Sequence, residues 1–241
     1  MHAPDVTVCM ATLNQAEYIA EALASLQAQT IARERFEVVV IDDGSSDETP
    51  RLLLDWLPLV RLVSRANRGL VASCNVGLGL ARGRFFARVD SDDVVDPSWL
   101  ASMVAALDDA SDACLAYPDR IEIDVSSTRR ISCDATDIYT LQACGTLFRT
   151  DVLKRIGGFR AFYWEEYDLY LRLRAVGEWV HVPLPLYIYR KHDASMTARA
   201  SDRINGWRQL AMEWGVDTLR SVGADPEMEQ GLSLLEGRQS R

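Results

Sequence analysis

Residues 36–49 read FEVVVIDDGSSDET. The run from Phe36 to Ile41 is almost wholly apolar and β-branched, without the polar alternation of a half-solvated strand. That pattern suits a parallel strand covered on both faces. Two aspartates, Asp42 and Asp43, follow where the strand must end, then a turn leading to a helix. Ser45 and Glu48 have the spacing of a capping box, and Pro50 sits in the first helical turn. The turn chemistry accounts for Gly44 to Asp47. It leaves the two successive acids unexplained, and one of them could accept hydrogen bonds from a base or a ribose hydroxyl.

Upstream, VTVCM (6–10) reads as a strand, and the helical stretch after it carries Ile19, Leu23 and Leu26 on one face. Downstream come a strand near residue 62, a Gly-rich helix closed by Gly83, the strand RFFARV, a helix opened by Pro97 and the strand ACLAYPD. Successive strand–helix units of this kind predict an α/β fold with a mostly parallel, doubly wound sheet. Ligands of such sheets lie beyond the carboxyl ends of the strands. Ala11–Asn14, Asp42–Asp43 and Asp90–Asp93 are therefore expected to share one crevice.

The stretch FFARVDSDDVVDPSW (85–99) sets Asp90, Asp92, Asp93 and Asp96 behind an apolar strand. Carboxylates this close raise each other's pKa unless a cation offsets them. A hard cation needs only one or two carboxylates plus substrate phosphate oxygens. An Asp-x-Asp pair on extended backbone turns both side chains to one side, so Asp90 and Asp92 can converge on one ion. A solvated turn is the plainer alternative. The position at the ligand edge favours a metal.

The second half is less regular. Residues 121–140 read as a polar excursion, ACGTLFRTDVLKRIGGF as strand, helix and Gly-Gly turn, WEEYDLYLRLRAVG as helix, and residues from Ser201 onward as helical. In WEEYDLYLR, acids in the first turn complement the helix dipole and Asp168 can pair with Arg172. A glutamate there could also act as a general base. Arg190, Lys191 and His192 in YRKHDASMT could offset diphosphate charge.

The 241 residues are 48% apolar and 25% charged, with a formal charge of −9. That balance argues against a general nucleic-acid binder, which needs a basic stripe. Five cysteines without a CxxC pair argue against a disulfide framework and for a reducing compartment. The start lacks the pattern of a signal peptide, and no apolar run nears the roughly 20 residues that span a bilayer. A soluble, cytoplasmic protein is expected.

Six segments in order, VTVCMATLNQAEYIAEALASLQAQT, EVVVIDDGSSDET, NRGLVASCNVGLGLARGRFFARVDSDD, GTLFRTDVLKRIGGF, WEEYDLYLRL and YRKHDASMT, resemble family 2 of the inverting GT-A glycosyltransferases. The resemblance implies a GT-A fold over residues 1–200, with a nucleotide-sugar-binding half to about residue 118, an acceptor-binding half from 119, and a helical extension over 201–241. It implies a nucleotide-diphospho-sugar donor, Mn2+ or Mg2+, a saccharide or lipid-linked acceptor, and inversion at the anomeric carbon. Peripheral contact with the inner face of the membrane is compatible with it, as is a role in polysaccharide or glycoconjugate synthesis. By the same resemblance Asp43 meets the base, Ala11 and Thr12 line the nucleotide pocket, and Asn67, Arg68 and Asn75 run beside the nucleotide. Asp92 binds the metal with Asp90 beside it, and His192 with Arg190 closes over the diphosphate, His192 also within reach of the metal. Glu166 stands where the family usually has an aspartate as base, and Cys74 where an arginine is common.

Two other functions fit less of the sequence. A sugar nucleotidyltransferase needs a Gly-rich, basic loop after the first strand, and MATLNQAEYI has neither glycine nor a basic residue. A non-catalytic subunit that binds the sugar nucleotide would explain the Glu at the base position, but not the intact acidic cluster.

Overall fold

The structure, a computed structural model, describes residues 3–192 and 200–239. Residues 193–199, which include the end of the YRKHDASMT stretch, lie outside the described residues. The strands are β1 (Val6–Thr12), β2 (Phe36–Asp42), β3 (Arg61–Ser64), β4 (Phe85–Arg88), β5 (Val94–Val95), β6 (Ala113–Ile123), β7 (Thr128–Ile131), β8 (Leu147–Arg149) and β9 (Glu178–Arg190). They form one sheet in the order β3-β2-β1-β4-β8-β6-β9-β5, with β7 paired on β6. β3, β2, β1 and β4 run parallel, as the apolar strand patterns predict. β8 enters antiparallel between β4 and β6, and β9 then runs parallel to β6.

Alternate residues of β1 serve two cores, as a pleated strand requires. Val6, Val8 and Met10 pack on one face of the sheet with α1 (Ile19–Gln27) and α4 (Trp99–Asp109). Cys9 faces the other side, toward α3 (Leu70–Leu80). There Gly77 is required: a Cβ on it would lie 2.2 Å from Cys9 Sγ.

The capping box expected at Ser45 and Glu48 does not form. α2 spans Thr49–Leu54, and its N-cap residue Glu48 makes no side-chain cap. Ser45 Oγ instead accepts from Asn14 N at 2.9 Å, and Asp47 accepts from Ala16 N at 3.1 Å and Thr49 N at 2.9 Å. Asn14 Oδ1 accepts from Ser46 N at 2.8 Å. The polar residues of this turn are spent on joining the loops after β1 and β2. The excursion over 121–140 contains a hairpin, β6 to β7, whose turn is closed by Asp124 accepting from Ser126 N and Ser127 N.

In the second half α5 (Thr150–Arg155) and α6 (Glu165–Leu173) are followed by α7 (Ala200–Trp214), α8 (Val216–Ser221) and α9 (Pro226–Gln239). α7 packs directly on the start of α6. Trp207 stacks on Tyr167, with centroids 5.1 Å apart and planes 9° from parallel, and meets the edge of Tyr139 at 5.1 Å. Gly206 permits the approach, since a Cβ there would come within 2.6 Å of the Tyr163 ring. Trp207 is 1% exposed, and truncating a buried tryptophan costs about 3–5 kcal/mol. Trp207→Ala is expected to lower unfolding stability by that amount in a urea titration, and a change under about 1 kcal/mol would mean that α7 does not brace α6.

Candidate functional site

Three parallel strands deliver the site. The ends of β1 and β2 are joined where Asp43 N donates to Thr12 O at 2.9 Å, and β4 follows β1 through Val89 N to Cys9 O at 3.0 Å. Beyond these ends lies a cavity of about 790 Å3. Its lining draws Ala11, Thr12, Asp43, Asp90 and Asp92 from the first half of the chain, and Glu166, Tyr167, Lys191, His192 and Arg203 from the second. The hydroxyls of Thr12 and Ser73, both buried and both on the cavity wall, have no hydrogen-bond partner among the described residues. Buried polar groups are normally satisfied, so these two suit a polar ligand.

Carboxyl oxygens of Asp90, Asp92 and Asp93 lie within 4.8 Å of one another. Their surroundings give them different roles. Asp93 is fully buried, accepting from Tyr187 Oη at 2.6 Å and from Arg190 N at 2.8 Å, which ties the turn to β9. Asp90 accepts a forked pair from Arg88, Nε at 2.7 Å and Nη2 at 3.0 Å, and the Cys144 thiol donates to it at 2.9 Å. Burial alone would raise Asp90, but the Arg88 guanidinium outweighs it and holds this carboxyl below the usual range. Among the described residues Asp92 has one side-chain partner, His192 Nε2 at 3.0 Å. Burial and the charge on Asp90 push Asp92 up, against the pull of His192. An incompletely partnered carboxylate destabilised by its neighbour is the group that a hard divalent cation would best satisfy, and the all-oxygen donor set fits Mn2+ or Mg2+.

Glu165 and Glu166 open α6, where acids complement the exposed N–H groups of the first turn. Glu165 is buried and accepts from Arg88 Nη1 at 2.5 Å. Glu166 is half-buried on the cavity wall. Burial, then the charge on Glu165, pushes Glu166 well above the ordinary glutamate range, with Arg88 opposing. Asp168 is fully buried and structural: Arg160 at 3.1 Å, Arg172 Nε at 2.9 Å and Trp214 Nε1 at 3.1 Å all donate to it, so it fastens α6 to α7.

The other sequence candidates are placed unevenly. Asn67 and Arg68 lie on the exposed loop after β3 and do not line the cavity. Arg68 N at 3.1 Å and Gly69 N at 2.7 Å donate to Asp43, and Arg65 Nε lies 3.0 Å from it, so Asp43 clamps this loop. Asn75 points away from the cavity and holds the Gly-Gly turn, donating to Phe159 O at 2.8 Å and accepting from Phe159 N at 3.0 Å. The Arg190 guanidinium pairs with Glu21 at 2.8 Å. His192 stacks on Tyr18, centroids 4.9 Å apart. Sequence reasoning missed Arg88, Cys144, Tyr187 and the aromatic wall of Tyr163, Trp164 and Tyr167. Arg88 had a signal: a lone cation inside an apolar strand demands a buried partner.

Comparison with known proteins agrees with this architecture. The model of the family described as glycosyl transferase family 2 matches residues 7–165. The succinoglycan biosynthesis protein ExoO of Rhizobium meliloti is 41% identical over 133 residues, which cover 54% of this chain and 37% of that protein. The structure of S. aureus TarS 1–349 in complex with UDP-GlcNAc aligns with a TM-score of 0.74 at 23% identity, over 94% of this chain and 69% of that one. The mannosyltransferase PcManGT of Pyrobaculum calidifontis, in complex with GDP-Man and Mn2+, aligns with a TM-score of 0.67 at 20% identity, over 97% and 70%. The chain spans about a third of the length of several curated relatives that it matches.

The raised Glu166 has a consequence for stability. The folded state keeps a proton that the unfolded chain releases near pH 4.3 or so, so its contribution is full below that pH and is lost as pH rises toward the folded value. Glu166→Gln removes this loss. Its melting temperature, measured against wild type between about pH 5 and 8, should gain on wild type as pH rises, and a constant gap would show that Glu166 titrates normally.

Proposed function

The chain belongs to glycosyl transferase family 2, and on that premise we propose that it moves a sugar from a nucleotide-diphospho-sugar to an acceptor hydroxyl, with inversion at the anomeric carbon and with a divalent cation at the carboxylate cluster. The observation that carries this reading is the pairing of an incompletely satisfied Asp92, inside a three-carboxylate cluster, with Glu166 on the wall of the same cavity. The fold is that of GT-A glycosyltransferases, and the transferase activity of this chain is part of the proposal. The donor, the metal, the stereochemistry and the acceptor are the rest of it.

In this reading the nucleotide lies over the ends of β1 and β2. Thr12 Oγ1 and Ser73 Oγ supply hydrogen bonds there, and Asp43 holds Gly69 in place on the cavity wall. Asp92, with His192 beside it, would hold Mn2+ or Mg2+, and Asp90 adds negative charge while its own oxygens stay on Arg88. A bound divalent cation stabilises the charge that develops on the departing nucleoside diphosphate. Glu166 accepts the proton of the acceptor hydroxyl as that oxygen attacks from the side opposite the leaving group. Its raised affinity for a proton makes it a stronger base than a solvated glutamate, at the cost of a smaller ionised fraction near neutral pH.

Residues to about 118 form the donor half, residues 119–200 the acceptor half, and the helical residues from 201 add Arg203 to its wall. ExoO belongs by its name to succinoglycan biosynthesis, which supports a saccharide or lipid-linked acceptor in surface-polysaccharide assembly. Among the described residues no helix is long and apolar enough to cross a membrane, and all five cysteines are free. A cytoplasmic enzyme that meets its acceptor in solution or at the inner face of the membrane is part of the proposal.

A ligand that binds only the folded state raises its melting temperature. UDP or GDP is expected to do so for the wild type in the presence of Mn2+ and much less without it. Asp92→Ala, at a position with a single side-chain partner, should fold, lose that metal-dependent shift, and release nucleotide from UDP-GlcNAc or GDP-mannose on the order of 100-fold more slowly. A shift that survives Asp92→Ala unchanged would remove the metal role. A normal shift in the wild type with no transfer or hydrolysis of either donor would favour the non-catalytic reading.

A further inference from the structure

Arg88 closes β4 and is 5% exposed, so its charge is out of water. A buried guanidinium persists only where its hydrogen bonds are satisfied by opposite charge. Here Nε and Nη2 go to Asp90, and Nη1 goes to Glu165, a residue 77 positions later at the first turn of α6. One cation thereby spans the carboxylate cluster and the helix start that carries Glu166.

Two adjacent carboxylates turned to one cavity without a counter-charge would share a proton, and neither would be singled out as base. We infer that Arg88 is a positioning residue for the transfer: by tying Glu165 back to the end of β4, it keeps that carboxylate engaged, and leaves Glu166 as the one free to meet the acceptor. The inference rests on Glu166 being the base in the function proposed above.

The charges around Glu166 give the idea a signature. Along its own segment it faces Glu165, Tyr163, Tyr167 and Tyr170. From β4 it faces Arg88. The same cavity is also lined by Arg120 on β6, Lys191 and His192 after β9, and Arg203 on α7, with Glu122 held between Arg120 at 2.8 Å and Lys191 at 2.6 Å. Of these groups Glu165 opposes ionisation of Glu166, and Arg88 favours it. Removing one must act opposite to removing the other, whereas a merely structural Arg88 would give no such pair of signs.

The test is a carboxyl 13C NMR titration of the full chain labelled at glutamate, without nucleotide or metal, with the Glu166 resonance assigned from Glu166→Gln. Glu165→Gln should lower the Glu166 midpoint by about one pH unit or more, and Arg88→Met should raise it by about as much. The double variant Arg88→Met/Glu165→Gln should return it close to wild type. The ascending limb of the pH–rate profile for nucleotide release from UDP-GlcNAc or GDP-mannose with Mn2+ should move in the same directions. Shifts of the same sign in the two single variants, or an unmoved midpoint in Arg88→Met, would overturn the inference. If Arg88→Met does not fold, Glu165→Gln and the double variant decide it, and an unmoved midpoint in Glu165→Gln overturns it. Opposite shifts in a protein that turns over neither donor would support the charge arrangement and count against the proposed activity alone.

Discussion

Five carboxylates, Asp90, Asp92, Asp93, Glu165 and Glu166, converge on one edge of the sheet, and the fold holds them together against their own repulsion. In water such a group would spread apart or be screened. Here it is walled by buried strands, so each charge needs a specific answer. Asp93 is answered by a phenol and a main-chain amide of β9, Asp90 and Glu165 by one arginine, and Asp92 by an imidazole. Much of the second half of the chain can be understood as the supply of those answers.

β9 shows this economy of placement. It pairs with β6 along most of its length and with β5 just after the acidic turn. Tyr187 and Arg190 N therefore reach Asp93 from a strand that is anchored elsewhere. α6 is anchored as firmly, because Asp168 draws Arg160, Arg172 and Trp214 onto one buried carboxylate. A carboxylate with three charge-assisted or indole donors, one from the preceding loop, one from α6 and one from α7, fixes the helix axis, so the position of Glu166 is inherited from that packing.

The first half of the fold was legible in the sequence because its signals are local. Strand β2 is apolar throughout, and Asp43 and Asp90–Asp93 follow their strands directly, so period and position sufficed. Two features misled for the same reason. Ser45 and Glu48 have capping-box spacing, but the hydroxyl is claimed by Asn14 N, 31 residues away in sequence. Asn75 sits in a segment that resembles a nucleotide contact, but its amide is spent on Phe159, 84 residues on. The antiparallel entry of β8, the span of Arg88 and the docking of α7 depend on pairings of this range, and no local pattern encodes them. Glu166 was found by its place in a motif. Its perturbed environment belongs to the assembled site.

The aromatic wall makes two properties of the protein inseparable. Trp164 and Tyr167 face the cavity on one side and pack against Trp207 on the other, so the rings that shape the pocket are also core. A substitution that reshapes this wall must also repack α7, which makes a new pocket shape costly for a lineage to explore by single steps. Tyr189, Lys191 and Arg203 line the same cavity from its less buried rim. Divergence between descendants of this chain is therefore channelled to that rim, while the ring stack changes only in concert.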